Sequence, residues 1–286
     1  MKTIKKFIPY ILCLLPLFLL EQCTEKIDIK LANNQPHLVV EGMITNEATV
    51  KTIRLSTTTN YFFTNIAPAV SQAKVSLNDE TTTIILIENP ANSGIYMTPA
   101  IYTGIPGKKY TLNIELQNAI NGQKVYSANE TMPKAYSPDS VILLHHPDWG
   151  KDGYWETQLF LQDPPEVNFY SFRGYRNDTL VTDTLSKVGI SDDKFYNNRY
   201  VKGMPTIFWN QEHKSEKINV GEKIRLQVGS ITKEYFTFLD ELRLEVNPKN
   251  PLFSGPSANV STNISNGAYG YFSVCAMSYV STTVKK

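Results

Sequence analysis

Short segments in which apolar and polar residues alternate, separated by turn-forming residues, run through nearly all of this sequence. Residues 73–77 and 110–116 alternate most clearly, and Asn121-Gly122 is a strong hairpin signal. Because a period of two places successive side chains on opposite faces, the pattern predicts antiparallel strands with one buried face. No window within residues 37–132 has helical periodicity, so this stretch is predicted to be a series of short strands.

The second half of the chain is predicted to be β-rich as well. Pro133 and Pro138 separate it from the first half, because proline interrupts both helices and strand ladders. The content of 16 Tyr and 13 Phe favours pleated sheet. Residues 177–221, rich in Asp, Asn, Lys and Tyr, are expected to form long loops and short strands. Other strands are predicted at residues 140–144, 155–161, 168–175, 222–229 and 270–280.

One amphipathic helix is predicted near residues 232–246. Ser230 or Thr232 can cap its first amides, and Asn247-Pro248 ends it. Its apolar stripe, which we interpret as the face that docks on a sheet, consists of Tyr235, Phe238, Leu239, Leu242 and Val246.

These patterns together predict a mostly β protein of two lobes. Residues 37–132 are expected to form an immunoglobulin-like or transthyretin-like antiparallel sandwich. Residues 139–286 are expected to form a second β-rich lobe with the one amphipathic helix packed on it. A chain of 286 residues is long enough to bury a core in each lobe.

The amino terminus has the pattern of an export signal. Lys2, Lys5 and Lys6 precede an apolar run at residues 7–20. A run of this length is too short to span a bilayer comfortably and falls within the range of a signal-peptide core.

Residues 19–23, Leu-Leu-Glu-Gln-Cys, resemble the lipobox of a bacterial lipoprotein, in which the cysteine is acylated and becomes the mature amino terminus. Gln22 stands where lipoboxes usually carry Gly, Ala or Ser. The resemblance implies a signal peptide at residues 1–22, a lipidated Cys23 and a polar tether at residues 23–36. Buried acyl chains would then hold the folded part at a membrane surface. A plain secretory signal and an uncleaved anchor remain the alternatives.

The charge balance and the cysteines exclude two further classes. Without residues 1–22 the chain has 25 basic and 26 acidic side chains, so it lacks the field that attracts nucleic acid. The three cysteines form no disulfide framework, because Cys13 lies in the leader and Cys23 is the acylation candidate. Cys275 lies in an apolar run and is expected to be a buried, inert thiol.

Two groups of residues have the types needed for catalysis or metal binding, and the rest of the sequence completes neither. Ser230 and Lys233 have the Ser-x-x-Lys spacing of penicillin-recognising acyl transferases, but the companion motifs of those enzymes are absent. His145 and His146 are adjacent, and they are interpreted as part of a solvated loop rather than as metal ligands. We therefore predict no metal, no cofactor and no enzymatic activity. A serine hydrolase using Ser230 and Lys233 is the less favoured alternative.

Aromatic residues cluster around Gly150 and Gly153. Trp149, Tyr154 and Trp155 are candidate ligand-binding residues, since sugar-binding sandwiches often present flat aromatic faces on loops. An exposed, coplanar platform of the three would favour glycan binding. The alternative is that Trp155 begins a core strand and Trp149 covers an edge.

Six segments of the chain have the character of turns, strand starts and glycine corners: residues 38–46, 73–75, 94–96, 107–112, 253–256 and 263–272. On these segments the chain resembles the DUF4249 family of uncharacterised Bacteroidetes lipoproteins, over nearly all of residues 37–280. The resemblance carries no catalytic residue and implies an accessory role beside TonB-dependent outer-membrane transporters. We therefore expect an outer-membrane lipoprotein with a binding or scaffolding role, on the periplasmic or the cell-surface face. A surface glycan-binding lipoprotein is the alternative.

Overall fold

The computed structural model describes residues 35–59, 66–246 and 259–285, and all of these belong to one compact unit. The strands are β1 (Leu38–Thr45), β2 (Thr52–Thr57), β3 (Lys74–Asn78), β4 (Thr83–Glu88), β5 (Ile95–Met97), β6 (Lys109–Ile120), β7 (Gln123–Thr131), β8 (Ser140–His146), β9 (Tyr154–Gln162), β10 (Phe169–Arg176), β11 (Thr179–Leu180), β12 (Gly189–Asp192), β13 (Tyr200–Asn210), β14 (Lys223–Ile231) and β15 (Tyr269–Thr283). The helical elements are α1 (Lys233–Val246) and a short 3-10 helix at Leu185–Lys187. The described residues are mostly β, as the sequence predicts.

The strands form two sheets. The order in the larger sheet is β11-β10-β14-β15-β1-β2-β5-β4-β3-β6-β7, and β12 also pairs with β10. The smaller sheet has the order β13-β9-β8. Strands β6 and β7 form the predicted hairpin, and Asn121 and Gly122 between them have φ values of 47° and 76°. Positive φ at both central residues is what a two-residue type I′ turn requires.

The first core lies inside a sandwich made by one half of the larger sheet. Buried side chains of β1, β2 and β15 pack against those of β3, β6 and β7, as the alternation along each strand predicts. The largest fully buried members are Tyr96, Tyr110, Tyr126 and Phe272.

The second core lies between the smaller sheet and strands β10 and β14. Leu159 and Ile207 of the smaller sheet belong to the same buried cluster as Phe172 and Leu226. The fully buried Trp209 is part of it, and its indole N–H donates to Thr157 Oγ1 at 2.7 Å. A buried indole needs such a partner, because an unpaired polar group in a core is costly.

Strand β15 contributes to both halves of the molecule. It pairs in parallel with β1 and antiparallel with β14, and its residues Phe272, Val274 and Ala276 are part of the first core. Residues 132–139, where the sequence places the boundary between lobes, contain no helix or strand. The division into residues 37–132 and 139–286 stays a prediction, but the last strand of the chain completes the sheet of the first part.

The long strand β13 lies in the segment where the sequence analysis expects long loops and short strands. That expectation is wrong for residues 200–210. The strand pairs with β9 through two register irregularities, between Lys202 and Met204 and between Pro205 and Ile207. Gly203 has a φ of 78°. Bulges of this kind shift the facing of successive side chains, so the period of two disappears from the sequence although the strand is continuous.

Helix α1 confirms the predicted helix. Thr232 accepts a hydrogen bond from the Tyr235 backbone N–H on its Oγ1, at 3.2 Å, as an N-cap does. Ser230, the other proposed cap, lies within β14 instead. Within the described ranges we find no helix of the length and apolarity that crossing a membrane requires.

Candidate functional site

A cavity of about 820 Å³ lies between helix α1 and the larger sheet. Its floor is the sheet face opposite the first core. In β15, Phe272 and Val274 point into that core, so Tyr271, Ser273 and Met277 point to the other side and line the cavity. The volume lies within the range of pockets that bind small molecules and cofactors.

The floor is built by the register of four neighbouring strands. Met43 of β1 is paired with Ser273 of β15. Gly229 of β14 lies between Met277 of β15 and Ser171 of β10. A Cβ atom at Gly229 would lie 2.5 Å from Ser171 Oγ and 3.1 Å from Met277 Sδ. The glycine is therefore required by the close packing of the floor.

The wall of the cavity is aromatic and aliphatic. Tyr235 and Phe238 of α1 have their ring centroids 6.0 Å apart with nearly parallel planes, and each ring also contacts Tyr271. Leu239 and Leu242, one turn further along the predicted apolar stripe, line the same cavity. The stripe therefore faces the sheet, as predicted, except that Val246 at its end is exposed.

Four charged residues line the cavity, and three of them are engaged. Glu41 forms an ion pair with Arg54 at 3.7 Å, and Asp183 forms one with Lys187 at 3.3 Å. Glu245 also has an interaction partner. The fourth is Arg173, which is half-buried and has no hydrogen bond or ion pair to any residue in the described ranges. A guanidinium carries five N–H donors, so Arg173 brings unused donors to the cavity.

Two titratable groups that feel the charge of Arg173 are neutral: the Tyr235 hydroxyl and the Cys275 thiol. Burial raises the pKa of the Tyr235 hydroxyl, while the positive charge of Arg173 acts in the opposite direction. Burial also raises the pKa of the Cys275 thiol, which lies beneath the helix with 0% exposure. The predicted burial of Cys275 is confirmed, and the charges that act on these two groups are those of Arg173 and Glu130.

The three aromatic residues proposed for sugar binding do not form one exposed platform. Trp149 is 45% exposed and stacks on His146, with ring centroids 3.8 Å apart and planes 7° apart. Trp155 instead packs against the second core, and Tyr154 is half-buried at the start of β9. Trp149 therefore shares the outer face of the smaller sheet with Phe208, 6.1 Å away, rather than with Trp155.

The histidine pair lies on a strand, not on a solvated loop as the sequence analysis expects. At the end of β8, His145 is paired with Trp155 of β9, and His146 is paired with Tyr154. The two histidines are adjacent on a strand, so their rings point to opposite faces of the sheet. His145 contacts Trp155, and His146 Nε2 lies 2.8 Å from Glu156 Oε2. Among the described residues no group of three or more His, Cys, Asp or Glu is arranged to hold a metal ion.

The proposed serine–lysine pair is not formed. Ser230 is 3% exposed, and its Oγ has no hydrogen-bond partner among the described residues. Lys233 is exposed at the start of α1. The two side chains are separated because Ser230 lies near the end of a buried strand, whereas Lys233 is on the exposed side of the first turn of α1.

Arg173 is not among the candidate site residues that the sequence indicates. The available signal was the alternation of Ser171 and Arg173 with Phe172 and Gly174 in a predicted strand, which puts a charge on the face opposite the core. The pairing of β10 with β14 decides which residues lie beside that charge, and this register is not readable from the local sequence. Cys23, the proposed lipidation site, lies outside the described residues.

The fold and the site define a class: a mostly β protein with a ligand-sized cavity between a helix and the back of a sheet. The chain belongs to the DUF4249 family, a domain of unknown function, which matches residues 24–279. The family resemblance drawn from the sequence segments is thereby confirmed. A comparison with curated proteins finds no match.

Proposed function

We propose that this protein is a non-catalytic binding lipoprotein of the outer membrane, accessory to a TonB-dependent transport system. The observation that carries the binding role is the cavity beneath α1. Its volume is that of a small-molecule site, and its lining combines an apolar, aromatic wall on α1 with about as many polar or charged side chains elsewhere. The membrane address is supported by the leader pattern and by Cys23.

The anchor is tested by Cys23→Ala in the full chain. The variant is expected to leave the membrane fraction and to lose metabolic palmitate labelling, because one thiol carries the acyl chains. Cys13→Ala, a cysteine within the leader, is the matched control and should behave as the parent does. Membrane partitioning of Cys23→Ala equal to that of the parent would contradict the anchor.

The partner is tested by purifying the tagged protein from native outer membranes. A transporter recovered in stoichiometric amount supports the accessory role. Recovery of the lipoprotein alone from every detergent would exclude a stable complex and leave a binding protein that acts by itself.

A surface glycan-binding lipoprotein is the second candidate. One observation favours it: Trp149 presents an exposed ring held flat by His146, beside the exposed Phe208. If glycans bind there, Trp149→Ala should abolish binding on an oligosaccharide array. Trp155, which faces the core, should not contact the glycan. No binding by the parent protein would remove this candidate.

A further inference from the structure

We propose that the cavity beneath α1 binds an organic anion, whose acidic group pairs with Arg173 and whose apolar, ring-containing body lies along the wall of Tyr235, Phe238 and Leu239. The inference rests on the proposed binding function and names the class of ligand for that cavity. Two observations support it: the carboxylates of the cavity have partners whereas Arg173 has none among the described residues, and the opposite wall is aromatic and aliphatic.

The charges favour an anion. The half-buried guanidinium of Arg173 has lost part of its water shell and has gained no acceptor from the described residues in exchange. The carboxylates of Glu41 and Asp183, which line the same cavity, already pair with Arg54 and Lys187. A ligand carboxylate, sulfonate or phosphate can accept two parallel hydrogen bonds from the fork of Arg173, which is the strongest geometry open to it.

Two neighbours of Arg173 on this face of the sheet are polar and uncharged. Gln227 is opposite Arg173 in the register of β10 and β14, and Ser171 lies two residues earlier on the same face of β10. The Gln227 side-chain N–H donates to the Tyr279 hydroxyl, so its position is fixed. This end of the cavity therefore offers a cation flanked by hydrogen-bonding groups, which suits an acidic head group.

The opposite wall suits the body of the ligand. The rings of Tyr235, Phe238 and Tyr271 contact one another, and Leu239 and Leu242 extend the apolar surface along α1. Contacting rings form a broad apolar face, against which another ring can stack. A ligand with a charged head and an apolar body matches both walls, whereas a neutral sugar would leave Arg173 unpaired.

Two fluorescent probes separate the acidic head from the apolar body. 1-Anilinonaphthalene-8-sulfonate has a ring system and a sulfonate, whereas N-phenyl-1-naphthylamine has the same ring system without the charge. Titrations of both are made at 0.15 M salt with the full chain, as parent and as Arg173→Gln. Arg176→Gln on the same strand, a residue that does not line the cavity, is the matched control.

The parent is expected to bind both probes saturably. Arg173→Gln should weaken the sulfonate probe about tenfold or more, which is the usual loss of one charge-assisted pair, and leave the neutral probe within about twofold. Arg176→Gln should match the parent for both. Phe238→Ala should weaken both probes, because it removes part of the shared apolar wall. A cooperative urea transition verifies that each variant is folded.

The inference is overturned if Arg173→Gln binds the sulfonate probe as tightly as the parent, or if it weakens both probes equally. Saturable binding of the neutral probe in either case would leave the cavity as a binding site for neutral ligands, so the binding function survives. If neither probe binds the parent saturably, both the anionic ligand and the binding role of the cavity are wrong. The anchor at Cys23 is tested separately and is unaffected by these outcomes.

Discussion

Lys51 is a charged side chain that is removed almost wholly from water, at 3% exposure. Its Nζ donates to Thr45 Oγ1 at 2.8 Å, to the Glu47 carbonyl oxygen at 2.7 Å and to Thr49 Oγ1 at 2.9 Å. Burial lowers the pKa of the Lys51 ammonium, and these three oxygens replace its water shell. One side chain thereby fixes the whole connection between β1 and β2.

We expect Lys51→Met to lower the free energy of unfolding by about 2–3 kcal/mol, because buried acceptors lose their donor. Lys124→Met, an exposed lysine of β7, is the control and should change stability by no more than about 0.5 kcal/mol. Urea unfolding followed by circular dichroism measures both. Equal losses in the two variants would mean that the hydrogen bonds of Lys51 contribute nothing.

Glu130 is a buried carboxylate that joins three parts of the molecule. Its Oε1 accepts hydrogen bonds from the hydroxyls of Thr232 and Tyr271, and its Oε2 accepts one from the Val274 backbone N–H at 2.9 Å. Burial is the largest influence on this group and raises its pKa from 4.5 to about 7, although the three donors act in the opposite direction. At neutral pH a large fraction of Glu130 therefore carries a proton.

The raised pKa of Glu130 predicts a pH-dependent stability. Because the folded pKa of about 7 lies above the unfolded value of 4.5, the stabilisation is complete below pH 4.5 and is lost as the pH rises through 7. Between pH 5 and pH 8 the parent should lose about 2 kcal/mol more than Glu130→Gln, which cannot titrate. Glu115→Gln, an exposed residue of β6, should keep the pH response of the parent. Urea midpoints at both pH values test this, and identical responses of the parent and Glu130→Gln would disprove the linkage.

The stability of helix α1 depends on its N-cap residue, Thr232. Thr232 accepts from the Tyr235 N–H and donates to Glu130, so it ties the first turn of the helix to the first core. Ser230, two residues earlier, has a buried hydroxyl that finds no hydrogen-bond partner in the part of the chain that the structure describes. Both residues carry a hydroxyl, but only that of Thr232 forms hydrogen bonds with the described residues.

This contrast gives a matched pair of variants. Thr232→Ala should lower the free energy of unfolding by about 1–2 kcal/mol, as the loss of an N-cap usually does. Ser230→Ala should leave it unchanged or raise it slightly, because it removes an unsatisfied buried hydroxyl. Thermal unfolding compares them, and a larger loss for Ser230→Ala than for Thr232→Ala would reverse the assignment of the cap.

The elements that follow local rules were predictable from the sequence, and the elements that depend on register were not. The stripe of α1 and the Asn121-Gly122 turn each follow from a short-range pattern, and both are confirmed. Strand β13 was missed because its bulges around Gly203 destroy the alternation. The cavity was missed for a related reason: Arg173 and Met277 are brought to one surface by strand pairing over a separation of about a hundred residues.

The sheet and the core of the first lobe are completed by β15, although this strand is far from that lobe in the sequence. The strand comes last, yet it covers the edge of β1 that would otherwise be exposed, and Phe272 and Val274 complete the first core. Glu130 at the end of β7 also accepts from the Val274 N–H. A sandwich made from residues 35–133 alone would therefore have an open strand edge and a core lacking its last layer.

A fragment of residues 35–133 is expected to unfold without a cooperative transition, because the surface left by β15 exposes apolar side chains and unpaired backbone groups. Joining residues 259–277 to it through a flexible Gly/Ser linker restores the strand and should restore a single cooperative transition in urea. Phe272→Asp in the fusion should abolish that gain, since a carboxylate cannot be buried there without a partner. If the short fragment unfolds as cooperatively as the fusion, the first lobe is an independent domain and β15 only docks onto it. If only the fusion is cooperative, the first lobe cannot fold until β15 has been synthesised.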